Sequence, residues 1–201
     1  MSPRPSSRGE QHERGLNRDD IVRAALELAD RDGLDGLTMR RLGALLGRSP
    51  MALYYYVSDR DDLLRGIYEL LNAEIDPPSA QDWYGYAEQC AWGLFHLAQA
   101  HPKVIPTVIA TPGPAGPSQI APHISGLVDR LVAAGLLAAT APLVVAAIWD
   151  FATGAIISQL AGRPELGTGS PDPEVEFRVG LKIVLAGVAG ELPSGQAARV
   201  G

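Results

Sequence analysis

Between residues 38 and 60, Thr38, Arg40, Ser49, Tyr54, Tyr55, Tyr56 and Arg60 offer hydroxyl and guanidinium donors, and Met51 and Ala52 add small or flexible apolar groups. No base or acid stands among them at a spacing that would set up covalent chemistry. Donors of this kind hold oxyanions and polar edges. The run Tyr54-Tyr55-Tyr56 is the sharpest feature. Successive helix positions point about 100° apart, so one helix cannot bury all three rings on one face. Leu53 and Val57, one turn apart, take the inward positions, which turns the tyrosines outward. The Thr38 hydroxyl, with the free N–H groups that open a helix, can hold a phosphate. Arg40 is long enough to reach a guanine edge or a phosphate, and Ser49 can serve bases or backbone. Met51 and Ala52 suit a thymine methyl, and Arg60 can clamp the next phosphate.

Other chemistry has little to rest on. His96, His101 and His123 sit in different segments, His12 lies near the N-terminus, and none has a carboxylate or cysteine at metal-ligand spacing. Cys90 is alone, so neither an internal disulfide nor a four-cysteine site can form, and a reducing cytoplasm fits. No GxSxG, P-loop or dinucleotide fingerprint is present. No enzyme, cofactor or metal is therefore expected.

The elements that must position these residues are helices throughout. Asn17 can cap a first helix, with Asp19 and Asp20 at its positive end, and Ile21, Ala24, Ala25, Leu28 and Ala29 form its apolar face up to Gly33. Thr38 caps a second, Met39 to Leu46, with Leu42, Leu45 and Leu46 inward, and Gly47 breaks it. Ser49 caps a third of about two turns, with Pro50 at its first position. Ser58 caps a fourth, Asp61 serving as the partner three residues on. Further helices are expected over Trp83–Ala100, near Val104–Ala110, over Gln119–Ala134, over Ala141–Leu160 with Thr140 as cap, and over Glu174–Gly190. Loops fall at Thr111–Pro117 and Gly162–Pro173. No β-alternation appears.

Two short helices joined at Gly47-Arg48 have the length and spacing of a helix-turn-helix, whose second helix enters a DNA major groove about 12 Å wide. Residues 17–64 resemble the DNA-binding domain of TetR-family (tetracycline-repressor-like) transcriptional regulators. The resemblance is carried by Ala24-Ala25-Leu26 through Gly33, Gly36-Leu37-Thr38-Met39-Arg40-Arg41-Leu42, Leu46-Gly47, Pro50-Met51-Ala52-Leu53-Tyr54-Tyr55-Tyr56-Val57 and Asp61-Asp62-Leu63-Leu64. Asp82-Trp83, Thr111-Pro112 and Asp150-Phe151-Ala152-Thr153-Gly154 resemble the tetracycline-repressor branch less specifically. It implies operator contacts at Thr38, Arg40, Met51, Ala52, Tyr54, Tyr55, Tyr56 and Arg60. One departure is Arg48, which stands where that family usually has an apolar residue packed inward.

The resemblance also implies an all-α chain: an arm at 1–16, the DNA-binding domain at 17–64 with helix four to about 75 as connector, an α-helical ligand-binding and homodimerising domain at 76–192, and a tail at 193–201. Composition agrees. The formal charge is −6, yet residues 1–64 carry most of the arginine, enough for a local basic patch. The N-terminal stretch has no apolar core, so no secretory signal is expected there, and its arginines could touch phosphates. In the second half, Cys90, Trp92, Leu94, Phe95, Val108, Trp149 and Phe151 offer apolar walls for a small molecule, with Gln89, His96, Asp150 and Thr153 as polar anchors. Ala141–Leu160 is long enough to span a bilayer, but Asp150 at its centre argues against a membrane. Its apolar character all round fits burial from several directions, a second copy of the chain supplying one. With Val175–Val188 it would form a four-helix interface, small residues such as Ala146, Gly154 and Gly187 permitting close approach. The expected function is a repressor released from its operator by a small molecule. The alternative is a helical small-molecule-binding protein whose DNA-binding unit is weak or has lapsed.

Overall fold

The computed structural model describes residues 16–110, 123–162 and 172–193, and all regular structure among them is helical. His12 with most of the arm, Thr111–Pro117, the start of the helix expected from Gln119, most of the 162–173 loop and nearly all of the tail lie outside the described residues. The chain divides into two compact units, Met1–Ile67 and Tyr68–Gly201.

In the first unit, α1 (Arg18–Asp32) opens where Asn17 accepts a hydrogen bond from the Asp20 N–H at 2.9 Å and ends at Gly33, whose φ of 77° suits glycine. A 3-10 turn, Leu34–Gly36, leads to α2 (Met39–Leu46), then α3 (Pro50–Leu53) and α4 (Arg60–Ala73), whose last residues, from Tyr68, belong to the second unit. Ile21, Ala25, Leu28, Leu42, Leu53, Val57, Leu63 and Ile67 form the core. Burying a side chain such as leucine contributes roughly 1.5–3 kcal/mol, so this small set carries most of the unit's stability.

Four expectations are corrected. Leu45 is 44% exposed rather than inward, because α2 turns only Leu42 and part of Leu46 onto the core. The helical part of α3 is four residues, not two turns; Tyr54–Tyr56 continue it as a turn in which the Tyr56 and Val57 N–H groups both donate to the Leu53 carbonyl, at 2.9 and 3.1 Å. The cap of α4 is Asp59, which accepts from the Asp62 N–H at 2.7 Å, and it is Asp62, not Asp61, that reaches back to the Ser58 N–H at 3.0 Å. Thr140 makes no side-chain capping bond at its helix.

Asp62 also receives Arg18 at 2.8 Å, tying the start of α1 to the start of α4. The Arg18 guanidinium, then the Ser58 N–H, hold its carboxyl below the usual value of 3.8. A depressed carboxylate contributes stability above the unfolded pKa and loses it as pH falls through the folded one. Asp62→Asn is therefore expected to lower the melting temperature by a few degrees at neutral pH. The gap to the parent chain should close as the pH falls from about 4 downward. Thermal melts of both chains across that range check it; a gap that persists at the acid end would show that the charge is not the cause.

The second unit is built on α5 (Trp83–Ala100), α6 (Ile105–Ala110), α7 (Ile124–Ala133), α8 (Ala141–Leu160) and α9 (Pro173–Gly190). Asp82 caps α5 through the Gly85 N–H at 2.8 Å, and Asp172 caps α9 through Glu174 at 2.9 Å. The α8 helix lies against α5, α7 and α9. Phe95, Phe177, Leu94 and Leu131 fill the centre. Within one chain α8 is covered by these three helices, and the side expected to meet a second copy is left open. By length and composition it could cross a membrane, yet only 28% of its most apolar window is buried. Leu143, Ala146, Ala147, Asp150, Gly154 and Ile157 form an outward stripe along it.

Candidate nucleic-acid interface

The turn between α2 and α3 closes by two backbone bonds. The Gly47 N–H reaches the Ala44 carbonyl at 3.4 Å and the Arg48 N–H reaches the Gly43 carbonyl at 2.8 Å. With Gly47 left-handed at φ 63°, this is the paired bonding of a Schellman ending. It uses only backbone at position 48, so Arg48 stands exposed and the turn forms without an apolar side chain there. Because the chain doubles back so closely, the Arg48 carbonyl lies 2.6 Å from where a Cβ on Gly43 would be. Ser49 then opens α3, its Oγ accepting from the Ala52 N–H at 3.2 Å, with Pro50 at the first helical position, where no N–H is needed.

This local order fixes which side chains leave the surface. Leu53 and Val57 are buried, and Tyr54, Tyr55 and Tyr56 all point out, Tyr55 being 88% exposed. Met51 is 72% exposed and Ala52 half-buried beside it. Arg40 is exposed in the first turn of α2. The Thr38 hydroxyl accepts from the Arg41 N–H at 3.3 Å and so already caps its helix. Arg60 is exposed and donates to the Leu34 carbonyl at 3.3 Å, which anchors it beside the 3-10 turn.

Two residues escaped the sequence reading. Arg41 donates to the Gly36 carbonyl at 3.0 Å and pairs with Asp32, locking α2 onto the end of α1. Its neighbour Arg40 has the same side chain and leaves the fold, and only the face distinguishes them. Gly43 gave one signal, a glycine inside a short helix, where it is unfavourable by about 1 kcal/mol and so needs a reason.

The residues expected to hold a small molecule do not converge. Cys90, Leu94 and Trp149 border an inner cavity of about 30 Å³, room for one or two waters. Burial pushes the Cys90 thiol up to about 11, Arg130 opposing weakly. Trp92 and His96 instead line an open cleft of about 490 Å³, together with the strap Glu74–Ser79 and Gln89. Phe95 and Phe151 pack on Phe177, with centroids 4.6 and 6.0 Å away. Val108 is buried in α6, and the Thr153 hydroxyl donates back to the Trp149 carbonyl at 2.9 Å. Asp150 is exposed on the outward stripe of α8.

Comparison with known proteins agrees with this arrangement. A family described as "Bacterial regulatory proteins, tetR family" matches residues 21–67. The chain is 32% identical to the HTH-type transcriptional repressor DrrR1 of Streptomyces coeruleorubidus, over 79% of this chain and 60% of that one. It therefore spans less than two thirds of that relative's length. It is 28% identical to the class C tetracycline repressor protein of Escherichia coli, over 86% of this chain and 83% of the relative. Its fold is similar to that of ActR from Streptomyces coelicolor in complex with (S)-DNPA, with a TM-score of 0.69 and 23% identity over 90% of this chain and all of that one. With the helix-turn-helix, the outward tyrosines and an all-helical second unit in place, the chain belongs to the TetR family of bacterial regulatory proteins.

Proposed function

We propose that this chain is a homodimeric repressor that grips operator DNA with α3 and the flanking turn, and lets go when a small molecule occupies residues 68–201. The observation that carries it is the outward array of Arg40, Met51, Tyr54, Tyr55 and Tyr56 around a helix held from behind by Leu53 and Val57. Phosphate donors set the register, and Met51 with Ala52 faces base edges. Thr38 and Ser49, already capping, present helix N-termini to phosphates, and Arg60 holds the outer one.

A second copy of the chain fits the stripes on α8 and α9. Val175, Val179 and Ile183 are exposed on α9, as Leu143 and Ile157 are on α8. A Cβ on Gly154 or Gly187 would meet nothing within 4 Å. Mid-helix glycines with nothing to avoid among the described residues suit the close approach of a neighbouring chain. Two recognition helices would then sit about one DNA turn apart, roughly 34–36 Å, and a ligand that alters this spacing weakens operator binding, with the reciprocal effect on its own affinity. The relatives support an effector: one is named a tetracycline repressor, and ActR is seen in complex with (S)-DNPA.

A mobility shift on DNA flanking the chain's own coding region tests the reading. The parent chain should bind, with affinity falling steeply as salt rises. Arg40→Ala and Tyr55→Phe should each weaken binding about five- to tenfold with the melting temperature unchanged, since neither side chain is buried. No shift at low salt on any such fragment would sink the proposal, and a large loss of stability in either variant would show that these are structural residues.

A further inference from the structure

The cleft beside α5 has a chemistry of its own. Its strap is held in place before any ligand arrives. The Gln89 side-chain oxygen accepts from both the Ser79 N–H at 2.8 Å and the Ala80 N–H at 3.0 Å. The Glu74 carboxylate meets His101 Nε2 at 2.9 Å, pinning the other end. Pro77 and Pro78 fix φ between these anchors. The opposite wall is aromatic. Trp92 is steadied by edge contacts to Phe95 and Phe177, at 5.2 and 5.1 Å, and His96 stacks on it at 5.4 Å. The rim carries Glu74 and Asp76, and among the described residues no lysine or arginine lines the cleft. Arg178, exposed on α9 and 3.8 Å from Glu174, reaches 5.7 Å over the Trp92 ring, at the outer limit of cation–π range. At about 490 Å³ the space is that of a small-molecule site.

We propose that this cleft, rather than the inner cavity at Cys90, takes the effector, and that its ligand is a planar aromatic cation. An aromatic wall rewards a flat ring, and rewards it more when the ring is positively charged. Carboxylates on the rim attract a cation and repel an anion. The proposal rests on residues 68–201 being effector-binding, as argued above, but its test does not.

The full chain is titrated without DNA by calorimetry, at about pH 8, above the ordinary titration range of histidine. One probe is N-methylacridinium and the other N-methylacridone, nearly the same shape without the charge. The cation should bind once per chain, and at least about tenfold more tightly than the neutral probe. Asp76→Asn should weaken the cation about fivefold and leave the neutral probe unchanged; Glu88→Gln, on α5 outside the cleft, should change neither. Trp92→Leu should weaken both. Equal affinity for the two probes, indifference to Asp76→Asn, or no binding of either overturns the inference. Charge-dependent binding with no effect on operator affinity, read separately by mobility shift with a cation that does not intercalate, leaves the cation site standing and overturns its assignment as the effector site. Operator release by an anionic compound without cation binding removes the inference alone.

Discussion

Gly43→Ala is expected to lower the stability of the DNA-binding unit by about 2 kcal/mol and, by shifting the turn that aims α3, to weaken operator binding. The added methyl would sit 2.6 Å from the Arg48 carbonyl oxygen and 3.4 Å from the Pro50 nitrogen. Both are backbone atoms, and both belong to the turn that aims α3. Relief requires α2 and the turn to separate, which breaks the 2.8 Å bond from the Arg48 N–H to Gly43. Overpacking of this kind costs about 1–3 kcal/mol or more, and the better helix propensity of alanine returns up to about 1 kcal/mol. For a unit of this size, 2 kcal/mol is a large part of the total and changes the folded-to-unfolded ratio roughly thirtyfold. Gly47→Ala is the matched control. Its Cβ would meet nothing within 4 Å, and only the left-handed φ of 63° opposes it, at about 1 kcal/mol. Denaturant melts of both variants, followed by hydrogen exchange of α2 and α3 amides, separate the two costs. A Gly43→Ala chain as stable as the parent would mean that α2 and α3 do not approach as closely as described.

Why some of this was legible in the residues and some was not follows from range. Caps are local: Asn17, Thr38 and Ser49 announce their helices because each oxygen serves an N–H three residues on. The same locality explains the one-residue slip at α4, where Ser58, Asp59, Asp61 and Asp62 all have capping chemistry and the Arg18 guanidinium from α1 decides in favour of Asp62. The tyrosines were readable because Leu53 and Val57 claim the only inward direction. Gly43 and Arg41 were not, since their reasons lie five residues or more away along the chain, across a turn whose closeness no pattern records. The second unit was least legible. Its helices are apolar on most sides, so periodicity does not say which face meets which neighbour. Trp92 and Cys90, two positions apart on α5, were expected in one pocket and border two. The strap that separates Trp92 is organised by Gln89, a long-range anchor with no sequence signature.

Ile183→Asp should convert a dimer into a folded monomer and reduce operator affinity about 10²–10⁴-fold. Ile183 is 67% exposed on α9, so aspartate there meets water in the isolated chain and leaves its fold intact. In the proposed four-helix interface it would bury an unpaired carboxylate among Val175, Val179 and their symmetry equivalents, at a penalty of several kcal/mol counted twice, because a two-fold contact places each substitution against both chains. Loss of the partner removes the second half-site, which a dimer fills at an effective concentration near millimolar, and the affinity that remains is that of one recognition helix. Sedimentation equilibrium should give the mass of two chains for the parent and one for the variant at micromolar concentration. The parent's melting temperature should rise with protein concentration while the variant's does not. Gly187→Leu, from the same face, should act in the same direction, because a Cβ there meets nothing within 4 Å among the described residues and the added side chain would press on the proposed neighbour. A variant that stays dimeric and still binds the operator would place the interface elsewhere, and the glycines and apolar stripe of α8 and α9 would then need another occupant.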